Sequence, residues 1–409
     1  MEQKELIPHL FRTEFSKITS VLCKLFGIEH IEVAEDIASE TFLAAFETWT
    51  YKGIPENPTA WLYTVAKNKA HNYLARNKLF TQKISPTLKR SSTKSEVIDL
   101  DMSDKNISDS QLQMLFTICH PSIPQEAQIG LALRILCGFG IDEIANAFLT
   151  NKEVINKRLF RAKEKLREEK IPIEMPRSTE INERLDVVLT TLYLLFSEGY
   201  YSESKDSILR KELCREAMQL TYMLLQNEQT NLPSVNALFS LFCFHSSRFE
   251  ARKIENGEMV LYADQDENLW DKELIERGVY FLNISSQGER LTKYHLEASI
   301  AYWHTIKADT KEKWENILQL YNHLLTIEYS PIAALNRTFA LSKAYGKQAA
   351  IAEAEKLNLS HNHFYFTLLG ELYTDIDNLK ARQSFEKALS LAKTQTDKQT
   401  LKKKLEKLQ

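Results

Sequence analysis

Apolar positions recur at helical spacing almost everywhere along this chain, and alternating strand patterns are almost absent. The clearest stripe is Ile155, Leu159, Ala162 and Leu166, at i, i+4, i+7 and i+11. It belongs to Gly138–Leu166, GFGIDEIANAFLTNKEVINKRLFRAKEKL. That stretch predicts a short helix with Ile144, Ala145 and Phe148 on its apolar face, a tight turn, and a longer basic helix capped by Asn151. The outer face of the second helix carries Glu153, Asn156, Lys157, Phe160 and Arg161. A scaffold helix followed by a capped basic helix has the shape of a helix-turn-helix, whose second helix fits a DNA major groove. The alternative is a helical hairpin with a solvated charged face.

Upstream, residues 6–26 predict a helix with Leu6, Leu10, Phe11, Phe15, Ile18, Leu22 and Leu25 inward, stopped by Gly27. Ile31–Trp49 predicts a second, with Ile37, Ala38, Phe42, Ala45, Phe46 and Trp49 apolar and Glu32, Glu35, Asp36, Glu40 and Glu47 on the other side. Tyr51–Asn57 breaks the pattern. Asn57-Pro58 restarts it as N-cap and first helical residue. The third helix buries Leu62, Val65, Ala66, Tyr73 and Leu74 and exposes Lys67, Asn68, His71 and Asn72. Trp49, Tyr51, Trp61, Tyr63 and Tyr73 alternate here with Lys52, Lys67, Lys69 and Arg76. Rings stack on unpaired bases while cations track phosphates. A bundle whose aromatics are core is the equal alternative.

Residues 81–110 lose periodicity and predict a linker, acidic in its second half (Glu96, Asp99, Asp101, Asp104, Asp109). Its roughly 100 Å reach when extended means that the flanking units need not touch. Gln111–Cys119 and Pro124–Cys137 predict helices leading into the basic hairpin. After the connector Ile171–Pro176, Asp186–Phe196, Lys211–Gln226 and Val235–Phe249 read as longer helices. A 34-residue period then appears: Leu335, Phe339, Ile351 and Ala354 recur as Leu369, Tyr373, Phe385 and Ala388, with Gly370 and Ala381 completing a tetratricopeptide-like unit. Such arrays present concave surfaces to a protein or peptide partner.

Composition supports an all-α fold: Gly and Pro are few. The net charge of −3 conceals a segment, Asn57–Ser95, without a single Asp or Glu. A basic stretch in a near-neutral chain marks a local polyanion site. Five scattered cysteines without a CxxC pair fit free thiols in a reducing cytoplasm, and no signal peptide or membrane-length apolar run occurs. No nucleophile–base or metal constellation appears, so no enzyme activity, cofactor or metal is expected. Cys119-His120 and Cys243-Phe244-His245 lack a second ligand pair; Asp264, Asp266, Asp271 and Glu198 read as capping or hydrogen-bonding residues.

In order, these segments resemble an extracytoplasmic-function sigma factor of the sigma-70 family of bacterial RNA polymerase, in the subgroup with a tetratricopeptide-like C-terminal extension. Glu35-Asp36-Ile37-Ala38-Ser39-Glu40-Thr41-Phe42 resembles the family's region 2.2. Asn57–Ala70 (NPTAWLYTVAKNKA) is similar to regions 2.3 and 2.4. Glu143-Ile144-Ala145 and Arg161-Ala162-Lys163-Glu164-Lys165-Leu166 resemble region 4.2. Leu192–Tyr200, Asp264–Trp270 and Ala334–Arg337 are similar to segments of the extended subgroup. Leu149 stands where relatives often carry Gly, Gly140 where Ser or Thr would cap, and Val154 where Thr is frequent.

The resemblance implies region 2 over 1–80, a linker over 81–110, region 4 over 111–172 and a helical regulatory domain over 173–409. It implies a cytoplasmic initiation subunit whose partners are core RNA polymerase and promoter DNA. Glu35, Asp36 and Glu40 would dock on polymerase. Trp61, Lys67, Asn68, Lys69, Asn72 and Arg76 would hold the melted −10 element, with a flipped base at Tyr51–Asn57. Lys152, Asn156, Lys157, Arg158 and Arg161 would meet the −35 element. The acidic linker half would thread toward the polymerase active site. A free-standing helix-turn-helix regulator with a repeat-domain sensor is the competing reading. A simple regulator has no need of an acidic helix followed by an aromatic–basic one.

Overall fold

The structure is a computed structural model that describes residues 3–84, 100–200, 207–252, 254–255, 258–260, 262–392 and 395–408. The fold is all-α; the one ladder among the described residues is a two-residue pairing, Ile254 with Met259 and Glu255 with Glu258. The chain forms two compact units, Met1–Thr230 and Asn231–Gln409.

The first unit is built around α1 (Gln3–Phe26), whose Phe15, Ile18, Leu22 and Cys23 are buried. Gly27 at φ 89° ends α1, and α2 (Ile31–Lys52) folds back along it. Gly53 at φ 81° ends α2 in turn, its N–H bonded to the Trp49 carbonyl. Only glycine adopts these left-handed turns without cost. The side chain of Asn57 accepts from the Ala60 N–H at 2.9 Å, the expected cap, and opens α3 (Pro58–Ile84). In α4 (Asp104–Ile118), Ser103 is the N-cap and accepts from the Asn106 N–H. α4 therefore begins inside the stretch expected to be linker. Residues 85–99, with Glu96 and Asp99, lie outside the described residues.

α5 (Gln125–Leu131) runs into a π-helical turn at Ala132–Leu136, closed by the Cys137 N–H on the Ala132 carbonyl at 3.1 Å. α6 (Ile141–Ala147) and α7 (Lys152–Glu168) follow, then α8 (Ile181–Tyr200) and α9 (Ser207–Leu225). The flanking segments, which a linker of that reach would leave free to stand apart, touch here: α1 packs on α4 and on the π turn. Lys24 donates to Asn106 Oδ1 at 3.1 Å and Gln111 to Ser16 Oγ at 3.2 Å. The unit also extends past residue 173, because α8 and α9 pack on α4, α5 and α6. Arg184 donates to the Phe116 carbonyl at 2.6 Å and Thr191 to Gln128 Oε1 at 2.7 Å.

The second unit comprises α10 (Pro233–Ser246), α11 (Lys272–Ser285), α12 (Lys293–Trp303), α13 (Lys311–Ile327), α14 (Pro331–Tyr345), α15 (Lys347–Leu357), α16 (His363–Tyr373), α17 (Asn378–Leu391) and α18 (Gln395–Lys407). The 34-residue period falls on consecutive helix pairs. Leu335 and Leu369 occupy α14 and α16; Ala354 and Ala388 occupy α15 and α17; all four are buried. Asp266 accepts from the Asn268 N–H, and Asp271 caps α11 by accepting from the Leu274 N–H at 3.0 Å.

Candidate nucleic-acid interface

The α6–α7 hairpin has the geometry that its sequence predicts. Ile155, Leu159, Ala162 and Leu166 are all buried. Asn151 Oδ1 accepts from the Val154 N–H at 2.9 Å, satisfying one of the orphan donors of the first turn of α7. Glu143 Oε2 accepts from the Gly140 N–H at 2.7 Å, the half of a capping box that needs no side chain at the N-cap. Lys152, Asn156, Lys157, Phe160 and Arg161 are exposed together on the outer face of α7. Arg158 is only partly exposed, its guanidinium 5.4 Å from the centre of the Phe148 ring. Lys152 pairs with Asp142 at 3.7 Å between two well-exposed side chains, an interaction worth little in water.

Leu149 makes the turn. Its φ of 50° is left-handed, and its side chain is exposed. A branched apolar residue held there costs about 1 kcal/mol. Leu149→Asn, which tolerates that conformation, is expected to raise the stability of the first unit by about 0.5–1 kcal/mol. Chemical denaturation checks it; an unchanged or lower midpoint contradicts the strain.

The helix pair α2–α3 carries the other candidate residues. Asp36 and Glu40 are exposed on α2, and Ser39, Leu43, Phe46 and Glu47 continue the same face. Phe46, expected in the core, is 60 % exposed, and Leu43 is 56 % exposed. Both are apolar side chains on an acidic face, and the helical pattern alone pointed Phe46 inward. The signal that finds them is the i+3/i+4 continuation of the Asp36–Glu40 line through 43, 46 and 47.

Glu35 lies elsewhere. It is 7 % exposed and accepts from Arg134 Nε at 3.1 Å and from Lys163 Nζ. Glu32 pairs with Arg167 at 2.5 Å. Glu35 thus faces the π turn and α7, while the Glu32 side chain pairs with α7 and stays 45 % exposed.

On α3, Asn68, Asn72 and Arg76 are exposed and Lys67 is partly so. Lys69 donates to Glu40 Oε2 at 2.6 Å, so a candidate phosphate contact and a candidate docking acid already neutralise one another. The aromatics mostly belong to the core. Trp49 is buried with Trp61 set edge-on at 5.3 Å. Tyr63 donates to Glu14 Oε2 at 2.6 Å, and burial, then that carboxylate, push its hydroxyl well above the usual tyrosine range. Tyr73 packs on Phe26 and meets His30 Nδ1 at 3.2 Å. Tyr51 is the exception, 89 % exposed at the end of α2. The pair therefore offers one free ring beside the amide and basic residues of α3.

Among the described residues no group of three or more His, Cys, Asp or Glu side chains could hold a metal ion. Every cysteine is free and buried. No helix among the described residues is long and apolar enough to cross a membrane.

Comparison with known proteins agrees with this geometry. Residues 10–80, which span α1 to α3, match the family model for sigma-70 region 2. Residues 184–286 match a family of unknown function, DUF6596. An uncharacterized protein, R00370, of Rhizobium meliloti (strain 1021) is 32 % identical over 373 residues, which cover 89 % of this chain and 87 % of the relative. No solved structure matches. The chain therefore belongs to the family of that Rhizobium meliloti protein, and the match of its residues 10–80 to sigma-70 region 2 supports a sigma-factor-like role.

Proposed function

We propose that this protein is a sigma factor of the extracytoplasmic-function type, acting in the cytoplasm, that brings core RNA polymerase to specific promoters and assists strand opening. The observation that carries the reading is the pairing, within a matched region 2, of an exposed acidic–apolar face on α2 with an amide- and cation-bearing face on α3. Asp36, Glu40 and Glu47 would steer the approach to a basic surface of polymerase, and Leu43 and Phe46 would supply the apolar contact that holds it. Trp61, Asn68, Asn72 and Arg76 would line the displaced −10 strand, with Lys67 and Lys69 toward its phosphates and Tyr51 as a stacking platform. The linker half around Asp101 would run toward the polymerase active site. Ser103 donates to Asp101 through its N–H at 2.9 Å and its hydroxyl at 3.1 Å, holding that carboxyl below its ordinary range and charged.

The α6–α7 hairpin would act as a region 4 helix-turn-helix and read the −35 element. Asn156, Lys157 and Arg161 would face base edges or phosphates, with Lys152 and Arg158 on the flanking backbone. The helix pairs of the second unit would form a tetratricopeptide-like surface for a protein or peptide regulator. Run-off transcription with core polymerase and the full chain tests the reading, using promoters selected from a random library. Promoter-dependent transcript is expected, and none from any template overturns it. Lys157→Ala combined with Arg161→Ala is expected to weaken promoter binding at least about tenfold and to lower the slope of affinity against salt by about 1–2. An unchanged slope removes both residues from the interface.

A further inference from the structure

Tyr262, between α10 and α11, is the centre of a cationic cluster inside the second unit. Arg248 stands 5.6 Å from the centre of its ring, Lys307 5.8 Å and Lys313 5.1 Å. Trp270 stacks against the same ring at 6.3 Å, and His304 meets it edge-on at 5.2 Å. The cluster is internal. Lys313 is 1 % exposed, and Arg248, Gln265 and Trp270 are 7, 5 and 6 % exposed.

Neutral oxygens hold Lys313: its Nζ donates to the Tyr262 hydroxyl at 2.9 Å and to the Ile306 carbonyl at 2.6 Å. Asp309 is the carboxylate whose charge favours Lys313, but Lys343 already takes it at 2.6 Å, and the Trp314 N–H donates to it as well. Burial, then the charges of Arg248 and Lys313, lower His304 to about 3, so its ring is uncharged at pH 7. One aromatic face returns too little to hold several like charges in a low dielectric.

Hydrogen bonding is incomplete at the same place. Among the described residues, Arg248 Nε, Trp270 Nε1, His304 Nδ1 and Gln265 Oε1 are buried atoms without a hydrogen-bond partner. Native interiors rarely leave such atoms unpaired, because each then costs the full desolvation of its group. A water satisfies some of them and supplies no charge. An oxyanion answers both needs, with oxygens for the N–H groups and negative charge for Arg248 and Lys313. Gln265 Oε1 calls for a donor. A phosphate group that keeps one proton carries that donor, and sulfate does not.

We propose that the second unit binds a phosphate group among Arg248, Gln265, Trp270, His304 and Lys313. Arg248 and Lys313 supply the charge, Trp270 and His304 supply neutral donors, and Gln265 reads the phosphate proton. Arg248, Gln265 and Trp270 belong to the segment matched to DUF6596, whereas His304 and Lys313 lie beyond it, at the end of α12 and the start of α13. A bound phosphate ties those two parts of the unit together, so its concentration sets how firmly they hold. The inference stands apart from the sigma-factor reading and holds whether or not the chain initiates transcription.

Calorimetric titration of the full chain at pH 7 and fixed ionic strength tests this, with inorganic phosphate, methyl phosphate and sulfate in turn. One phosphate per chain is expected, with sulfate bound at least about tenfold more weakly because it lacks the proton. Whichever of inorganic phosphate and methyl phosphate binds more tightly identifies the source of the group. Trp270→Phe keeps an aromatic ring and loses the N–H; it is expected to weaken phosphate about five- to tenfold. Arg248→Gln is expected to weaken it at least about tenfold. Circular dichroism checks that each variant is folded, and Trp270→Phe decides the matter should Arg248→Gln unfold the unit. Three results overturn the site: no saturable binding of either phosphate, equal binding of sulfate, or phosphate affinity unchanged in the folded variants. Water then meets the orphan atoms.

Discussion

Replacing Glu216 by glutamine is expected to stabilise the first unit at pH 8 by about 2 kcal/mol and to leave it unchanged at pH 4. Glu216 sits on α9, partly buried beside the Cys137 thiol. Burial first, and the neighbouring Glu212 after it, raise its carboxyl from the ordinary 4.5 to about 7, against the lowering pull of Arg215 and Arg12. The sign follows from the direction. Below pH 4.5 the group is protonated in both folded and unfolded chains and contributes no pH dependence. Between 4.5 and 7 the unfolded chain releases the proton while the folded chain keeps it, so stability falls as pH rises. Above about 7 the folded chain carries the buried charge and the loss is complete. A displacement of that size corresponds to roughly 3 kcal/mol, which partial exposure reduces to about 2 kcal/mol. Glutamine keeps the shape and cannot ionise. Urea midpoints for both proteins at pH 4, 6 and 8 check it; parallel pH profiles would contradict the assignment.

Gly370→Ala is expected to destabilise the second unit by about 2–3 kcal/mol. A Cβ built at Gly370 lies 2.5 Å from Cε1 and 2.6 Å from Cδ1 of Phe385, which is 2 % exposed. The ring comes from α17, which crosses α16 at this point, and buried Ala381 and Ala388 flank it on the same helix. Helices approach this closely only where one of them carries no side chain, and a buried aromatic ring has no low-energy place to go. Phe385→Leu alone should cost about 1–2 kcal/mol through lost packing. The double variant should cost less than the sum of the singles, because the smaller side chain makes room for the methyl. Strict additivity in thermal or chemical unfolding would show that the close approach does not set the cost.

The hairpin that heads the sequence reading was legible because everything that forms it is local. The stripe Ile155, Leu159, Ala162 and Leu166 is one helix face, and the Asn151 cap acts on a donor three residues away. The caps at Asn57 and Asp271 are legible for the same reason. In the 34-residue recurrence Leu335 and Leu369 are both buried, in α14 and α16, whereas Phe339 is 43 % exposed and its counterpart Tyr373 is buried.

The candidate site was legible in part. Position along α2 separates Glu35 from Asp36 by one residue, about 100° around the helix. That angle puts one carboxylate under Arg134 and Lys163 and the other in solvent. Phe46 reads as core by period and stands at the surface, because α1 and α3 approach α2 from the side of Phe42, Ala45 and Trp49. The aromatic run over 49–73 reads equally well as a stacking surface or a core. Tertiary packing sends Trp49, Tyr63 and Tyr73 into contacts within the protein and leaves Tyr51 free.

By itself the sequence determined most of the helices and the chemistry each carries, since capping, periodicity and charge act within a few residues, but it left the start of α4 at Asp104 inside an expected linker. Tertiary structure alone decided which charges remain available. Glu35 meets Arg134 across 99 residues and Lys163 across 128, and no local pattern encodes which of several exposed-looking acids will find a distant cation once the helices pack.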